Sequence, residues 1–153
     1  MHLQLRQYID NDKDIVWKLH IDGLNQTGSL IKDQCWDKDL LDIRNHYLNN
    51  QGEFLVALIN NKVIGIGGLR KVDKLTCEIK RMRVNVNFQR KGIGTLILKK
   101  LIEKACEFGY KRIILDTSEN QKSAKQLYEK YGFKEYKRGK VEHLETIFYE
   151  LHI

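Results

Sequence analysis

Apolar residues recur along the chain with two different periods, and the changes of period predict its elements. Leu3 and Leu5 alternate with polar neighbours, which is typical of a β-strand. From Asp12 to Leu24, and again from about Asp37 to Asn49, apolar residues return at helical spacing. The chain therefore begins with a predicted strand followed by two predicted helices.

A β-hairpin is predicted next. The strand-like runs Glu53–Ile59 and Lys62–Arg70 flank Asn60-Asn61. Asparagine tolerates a positive φ, so this pair suits a two-residue hairpin turn. The second of these strands contains Gly65, Gly67 and Gly68, which have no side chains. This indicates a bulge or a place where another element packs closely against the backbone.

The strand predicted over Thr76–Val84 breaks the regular alternation. Its apolar positions are separated by two, three and two residues, at Cys77, Ile79, Met82 and Val84. A regular strand keeps a strict period of two, so one extra residue near Lys80–Arg81 would restore the register. We therefore predict a β-bulge there, which would leave backbone groups unpaired and open a gap beside the strand. The alternative is that Met82 begins a loop.

The remaining elements alternate between helix and strand. Helical spacing predicts helices over Ile93–Phe108 and Ser123–Tyr131, separated by a continuous apolar strand at Arg112–Thr117. Two more strands follow. The complete order is β-α-α-β-β-β-α-β-α-β-β, which predicts an α/β fold with a mixed sheet and a bulged central strand. No linker divides the chain, so residues 1–153 are expected to form a single domain.

Composition narrows the expected partners. The net charge of +7 favours an anionic partner, but no nucleic-acid-binding motif is present, and the lysines share helix faces with glutamates. No apolar run approaches the roughly 20 residues of a membrane span, and the N-terminus lacks the apolar core of a signal peptide. The three cysteines and five histidines show no metal-ligand spacing. We therefore expect a cytoplasmic protein that binds no membrane, no nucleic acid and no metal.

A basic, glycine-containing turn connects the bulged strand to the helix after it. Gln89 to Gly94 read Gln-Arg-Lys-Gly-Ile-Gly at the start of the Ile93–Phe108 helix. Unpaired N–H groups gather at such a helix start, and the helix dipole adds roughly half a positive charge. The turn is therefore a predicted anion site that would suit a pyrophosphate. The P-loop pattern is absent, and Ile97 stands where a dinucleotide fingerprint needs Gly or Ala.

Two motifs together resemble those of the GNAT N-acetyltransferase superfamily. Gln89-x-x-Gly92-x-Gly94 is similar to its acyl-CoA signature [QR]-x-x-G-x-[GA]. Downstream, its second hallmark, N-x-x-A-x-x-L-Y-x-x-x-G-F, is matched at Ala124, Leu127, Tyr128, Gly132 and Phe133. Two positions depart from the patterns: Arg90 stands where glycine is common, and Gln121, with Asn120 beside it, stands where asparagine is usual. The order of elements agrees over nearly the whole chain.

The resemblance implies acetyl-CoA as co-substrate and an amine, on a small molecule or a protein, as acceptor. It places the pyrophosphate on the turn and the pantetheine arm along the bulged strand. Arg81 is a further candidate for attracting the phosphates. The implied cofactor-binding residues are Met82, Arg83, Val84, Gln89, Arg90, Lys91, Gly92, Ile93, Gly94, Thr95, Asn120, Gln121, Ser123 and Tyr128.

The same resemblance implies the catalytic groups. Tyr128 matches the general acid that protonates the leaving thiolate, although it could instead be a core residue. Glu78, on the bulged strand, is the candidate general base. Glu142, His143 and bulk water are alternatives for that role.

The acceptor would lie opposite the cofactor, and Asn25–Asp39 is expected to form part of its wall. Asp33, Asp37 and Asp39 could attract an amine there, although charged loops are usually solvated. A catalytically silent acyl-CoA sensor is the main alternative to an enzyme, and a homodimer is expected through exposed C-terminal edge strands.

Overall fold

The computed structural model describes residues 2–27, 34–141 and 144–153, which contain a seven-stranded sheet with the order β1-β2-β3-β4-β5-β7-β6. The strands are β1 Leu3–Gln7, β2 Glu53–Ile59, β3 Lys62–Lys71, β4 Thr76–Val84, β5 Arg112–Ser118, β6 Lys134–Val141 and β7 Leu144–His152. Neighbours are antiparallel except β4 and β5, which are parallel. This confirms the predicted mixed sheet. β6 is an exposed edge strand, and the homodimer stays a prediction.

In the described residues, three α-helices cover the sheet: α1 Lys13–Thr27, α2 Ile93–Glu107 and α3 Lys122–Lys130. The second helix of the predicted order is present, but not as one regular α-helix. A 3-10 helix over Gln34–Leu41 is followed by a π-helical turn over Arg44–Leu48. None of the helices in the described ranges combines the length and the apolar character that a membrane span needs.

The interruption of that second helix falls at Asp42. The Asp42 carboxylate accepts bonds from the backbone N–H of Asn45 at 3.4 Å and from Asn45 Nδ2 at 2.9 Å. A side chain that takes a backbone N–H in this way favours the start of a new helical turn over the continuation of an old one. Apolar spacing alone therefore predicted one helix where the chain forms two short ones.

The sheet has a separate apolar core on each face. α2 and α3 pack on one face, where Ile97, Leu98 and Leu101 are fully buried. α1 and the segment before β2 pack on the other, around Tyr47 and Phe54. The predicted close approach to the glycines of β3 is observed: a Cβ on Gly67 would lie 2.5 Å from Ile97 Cγ2. The small residues of β3 therefore let α2 lie close to the sheet.

Both predicted irregularities are present. Asn60 and Asn61 have φ values of 51° and 66°, so they form the expected turn between β2 and β3. In the β3–β4 pair, Ile66 lies opposite Arg83 and Gly68 opposite Lys80, which leaves one extra residue on β4. Arg81, with a φ of 63°, adopts the left-handed conformation within this bulge.

The bulge coincides with the point where β4 leaves β5. The parallel pairing runs only from Thr76 to Glu78 on β4, opposite Arg112 to Ile114 on β5. Beyond it the two strands diverge, and the gap between them becomes the candidate site.

Candidate active site

Two connected cavities occupy the gap. The larger, of about 780 Å³, lies between the turn before α2 and the start of α3, and we call it the cleft. The smaller, of about 300 Å³, lies between α1, β4, β5 and the adjoining ends of β6 and β7, and we call it the pocket. Four residues line both: Met82, Arg83, Gln121 and Tyr128.

The start of α2 forms one wall of the cleft. Gly92 accepts the first helical bond, from the N–H of Leu96 at 3.0 Å. The N–H groups of Ile93, Gly94 and Thr95 therefore have no acceptor within the helix. Gly92 has a φ of 82°, and a Cβ built on it meets nothing within 4 Å. An anion can approach these N–H groups directly, as the glycine turn predicted.

The conformation of the turn explains why glycine is common at the position that Arg90 occupies. Arg90 has a φ of 62°, a left-handed conformation that favours glycine. Its side chain lines the cleft. Lys91 does not line it: its ammonium lies 5.6 Å from the centre of the Phe88 ring. Lys91 is thus outside the cleft, as is Arg81, the further candidate for attracting the phosphates, which lines the pocket and is bound by Asp39.

The bulged strand forms the opposite wall. The N–H of Asn85 donates to Ile64 O at 2.8 Å, so the alternation of the ladder turns the N–H of Val84 towards the cleft. The carbonyl of Val84 accepts from Gln89 Nε2 at 3.0 Å, and that of Met82 accepts from Arg83 at 2.9 Å. The strand therefore offers the cleft a donor at Val84, while these two carbonyls already have partners.

The remaining predicted cofactor residues come together at the start of α3. Asn120, Gln121 and Ser123 all line the cleft, opposite the start of α2. The open cradle at Gly92, the donors of α2 and the cation of Arg90 fit a molecule with a diphosphate and a long polar arm. The residues present therefore fit coenzyme A.

Tyr128 stands at the junction of the two cavities. Its side chain is 5% exposed and packs edge-on against Phe133, with the ring centres 5.9 Å apart. Burial raises the pKa of Tyr128 to about 12, with opposing contributions from Arg83 and Asp116. The tyrosine is therefore both part of the core and a proton-bearing group within reach of either cavity.

Glu78 lies in the pocket, and most of its surface is buried. Its carboxylate accepts a bond from Arg70 at 2.7 Å. Glu78 is thus brought to the predicted place, but it is held by an ion pair on β3.

A second carboxylate, Asp116 on β5, was missed by the sequence analysis. It lines the pocket and makes no hydrogen bond or ion pair with any described residue. Its side chain stays open to the pocket while protein surrounds it, so burial, followed by the negative charge of Glu78, raises the pKa of Asp116. The signal was present in the sequence, because an aspartate ends the apolar run of Arg112–Thr117.

Asp39 does not present a free carboxylate to an acceptor. It is 5% exposed and accepts two bonds from the bulge residue Arg81, at 2.6 and 3.0 Å. Tyr47 donates a further bond to it. Burial alone would raise the pKa of Asp39, but Arg81 and Tyr47 outweigh burial and lower it to about 2. This network ties the 3-10 helix to the bulge.

The other candidates for the base lie outside the described residues, at Glu142 and His143, as does Asp33. Within the described ranges, no group of three or more His, Cys, Asp or Glu side chains could hold a metal ion.

Comparison with known proteins agrees with these motifs. The family model described as the acetyltransferase (GNAT) family matches residues 20–133. N-acetylaspartate synthetase of Xenopus tropicalis is 34% identical over an alignment of 125 residues that covers 74% of this chain and 45% of that protein. Human N-acetyltransferase 8 is 36% identical over 102 residues, 63% of this chain and 45% of that protein. The chain thus matches less than half the length of these curated relatives.

Solved structures share the architecture. A GNAT family acetyltransferase from Staphylococcus aureus is 25% identical, with a TM-score of 0.90 over 99% of both chains. A GNAT family acetyltransferase from Elizabethkingia anophelis, solved with acetyl-CoA bound, is 26% identical. Its TM-score is 0.71, over 99% of this chain and 98% of that one.

Proposed function

Because this chain belongs to the GNAT acetyltransferase family, we propose that it transfers an acetyl group from acetyl-CoA to a primary amine, with both substrates bound together. The observation that carries the proposal is the junction of the two cavities at Tyr128. The cleft fits the carrier, the pocket is separate from it, and the two meet beside a side chain that holds a proton. Two substrates can therefore meet without either one leaving its own cavity.

The main-chain N–H groups of Ile93 to Thr95, with Arg90, would hold the diphosphate of acetyl-CoA. Asn120, Gln121 and the N–H of Val84 would contact its arm. Bound there, acetyl-CoA supplies a thioester whose acetyl carbon accepts the amine nitrogen. Donors beside the bulge would stabilise the negative charge that develops on the carbonyl oxygen, and one such donor contributes roughly 3 kcal/mol in other acyl transfers.

The amine must first lose a proton, since an alkylammonium has a pKa of about 10.4. We assign this proton to the pair of carboxylates in the pocket. Glu78, the base predicted from the sequence, already accepts a bond from Arg70, whereas Asp116 has no partner among the described residues. The fixed charge of Glu78 also makes its neighbour more basic. Asp116 is therefore the proton acceptor, and Glu78 sets its basicity.

Tyr128 protonates the leaving group of the reaction. As the nitrogen–carbon bond forms and the carbon–sulfur bond breaks, the leaving thiolate takes a proton from the Tyr128 hydroxyl. The nitrogen gives up its second proton in turn, and this proton restores the phenol. One proton remains on the carboxylate and passes to solvent. With a pKa of about 12, the phenol is protonated at every pH at which the amine is acetylated.

The pH dependence of kcat/KM distinguishes the two carboxylates. If Asp116 accepts the proton, Asp116→Asn removes the ascending limb. Glu78→Gln then moves the limb to lower pH, because the neighbouring negative charge is gone. If Glu78 is the base, Glu78→Gln removes the limb, and Asp116→Asn shifts it to lower pH.

Release of free thiol from acetyl-CoA across a panel of primary amines tests the function itself. We expect turnover that depends on an amine. Tight acetyl-CoA binding without turnover on any amine would instead favour the alternative, an acyl-CoA sensor.

A further inference from the structure

The pocket contains cations in very different states. Arg81 is bound by Asp39, and Arg83 donates to the carbonyl of Met82 while its side chain lies against Gly23. Lys80 is half-buried in the pocket wall and makes no hydrogen bond or ion pair with any residue in the described ranges. Burial, together with the charge of Arg81, lowers the pKa of Lys80. The N–H groups of this ammonium therefore remain available to an anionic group of a ligand.

The carboxylates of the pocket show the same contrast. Glu78 is bound by Arg70, while Asp116 has no partner of its own among the residues described. Lys80 and Asp116 both line the pocket, and each lies two residues beyond the last pair of β4 and β5, Glu78 opposite Ile114. The pocket therefore offers one cation and one anion side by side.

The far end of the pocket is apolar. It is lined by Val141 and Leu144, at the adjoining ends of β6 and β7, and by Phe148. Each of these side chains is partly exposed, so each has apolar surface that a ligand could bury. At about 300 Å³ the whole pocket matches the lower end of the range of small-molecule sites.

We propose that the acceptor is an α-amino acid with an apolar side chain. Asp116 binds its ammonium group, Lys80 binds its carboxylate, and the side chain covers the apolar end formed by Val141, Leu144 and Phe148. This assignment rests on the proposed function and adds the chemical class of the acceptor to it. The carboxylate remains charged throughout, and the amine is the only group of the acceptor that changes.

The assignment makes the carboxylate the feature that the pocket recognises. An amine without a carboxylate would offer no hydrogen-bond acceptor to Lys80, and a neutral amide would offer only a weaker one than a carboxylate does. A binding site built for a polar group discriminates against analogues that lack that group. A second carboxylate would lie against the apolar side chains of Val141, Leu144 and Phe148, so aspartate should fit less well than leucine.

The test compares three acceptors that share the side chain of leucine, namely leucine, leucinamide and isopentylamine, with the full chain and acetyl-CoA. The amine of leucinamide is less basic than that of leucine, and the amine of isopentylamine is more basic. A preference for leucine over both, by at least tenfold in kcat/KM, therefore reports the carboxylate rather than the basicity of the amine.

Variants test whether Lys80 is the residue that recognises the carboxylate. Lys80→Gln should raise the ratio of the KM for leucine to the KM for isopentylamine at least tenfold, because only leucine has a carboxylate for Lys80 to bind. Lys62→Gln, at an exposed lysine of the β2–β3 hairpin, is the matched control and should change the KM of neither acceptor.

Equal turnover of the three acceptors by the unmodified protein would overturn this inference while supporting the proposed function. Faster turnover of aspartate than of leucine would also overturn it. Absence of turnover with any amine would refute the proposed function instead.

Discussion

The cleft and the pocket share one gap in the sheet, but different chemical groups line them. The cleft presents main-chain groups: the N–H groups that begin α2, the donor of Val84, and a glycine with open space beside it. The pocket presents charged side chains from strands far apart in the chain, above all Lys80 and Asp116. The first recognises an anion through backbone geometry, and the second recognises its ligand through charge placement.

This difference has a consequence for specificity. Most side chains can change around a main-chain cradle without loss of its N–H groups, so the grip on the carrier is insensitive to most substitutions. In the pocket, Lys80 and Asp116 each supply one charge from one side chain, so a single substitution changes which acceptor the pocket can bind. The same fold can therefore keep one carrier while it changes acceptors.

The largest expected effect lies on the pocket side, in the ion pair that holds the bulge. Asp39→Asn removes the carboxylate that neutralises Arg81, of which only 11% is exposed. Loss of one member of a buried pair is expected to lower the free energy of unfolding by about 3 kcal/mol. Urea denaturation measures it. Asp22→Asn breaks the exposed Lys18–Asp22 pair and should cost less than about 0.5 kcal/mol.

The same pair predicts a pH dependence of stability. The pKa of Asp39 falls on folding from 3.8 to about 2, so its contribution is complete above pH 3.8 and is lost as the pH falls through about 2. The difference in stability between the unmodified protein and Asp39→Asn should therefore shrink over that acidic range. A difference that is constant down to pH 2 would contradict the pairing.

The next largest effect lies where the two regions meet. Tyr128→Phe should lower kcat at least about tenfold, since a positioned acid contributes at least that much, and leave acetyl-CoA affinity within about twofold. Tyr149→Phe is the control. Tyr149 is equally buried, has its pKa raised by burial to about 12, and donates to Glu129 rather than facing either cavity. Equal kcat values for the two variants would remove Tyr128 from the chemistry.

The smallest effect is expected at the turn of the cleft. Arg90→Gly relieves a left-handed conformation but also makes the unfolded chain more flexible, so stability should rise by no more than about 1 kcal/mol. Acetyl-CoA affinity should fall a few-fold at low salt, because a cation leaves the cleft, and the loss should fade at high salt. A clear loss of stability would show that this conformation carries no strain.

Much of the cleft could be predicted because its features are local in sequence. The Asn60-Asn61 turn, the extra residue at Arg81 and the start of α2 at Gly92 each depend on a few neighbouring residues. Short-range spacing and backbone preferences therefore locate them. A motif does not specify side-chain directions, so it could not show that Lys91 and Arg81 do not line the cleft.

The pocket was less predictable because its properties depend on contacts between distant segments. The interpretation of Asp39 as a candidate for attracting an amine was wrong because Arg81, 42 residues away, takes its carboxylate. Whether Lys80 and Asp116 lack partners is likewise decided by which other charges the fold brings near. The break at Asp42 has another cause, since its side chain competes for a backbone N–H that apolar spacing ignores.

Binding of acetyl-CoA to two glycine variants, measured by calorimetry, tests the central claim most directly. Gly92 and Gly109 both have left-handed φ values, 82° and 87°, and open space where a Cβ would stand, but only Gly92 borders the cleft. Both Ala variants should lose similar stability, about 1–2 kcal/mol, because each puts a Cβ on a left-handed residue. Gly92→Ala alone should weaken acetyl-CoA binding, by at least about tenfold, since its methyl group would obstruct the main-chain cradle. Equal affinities in the two variants, or no binding to the unmodified protein, would contradict the account.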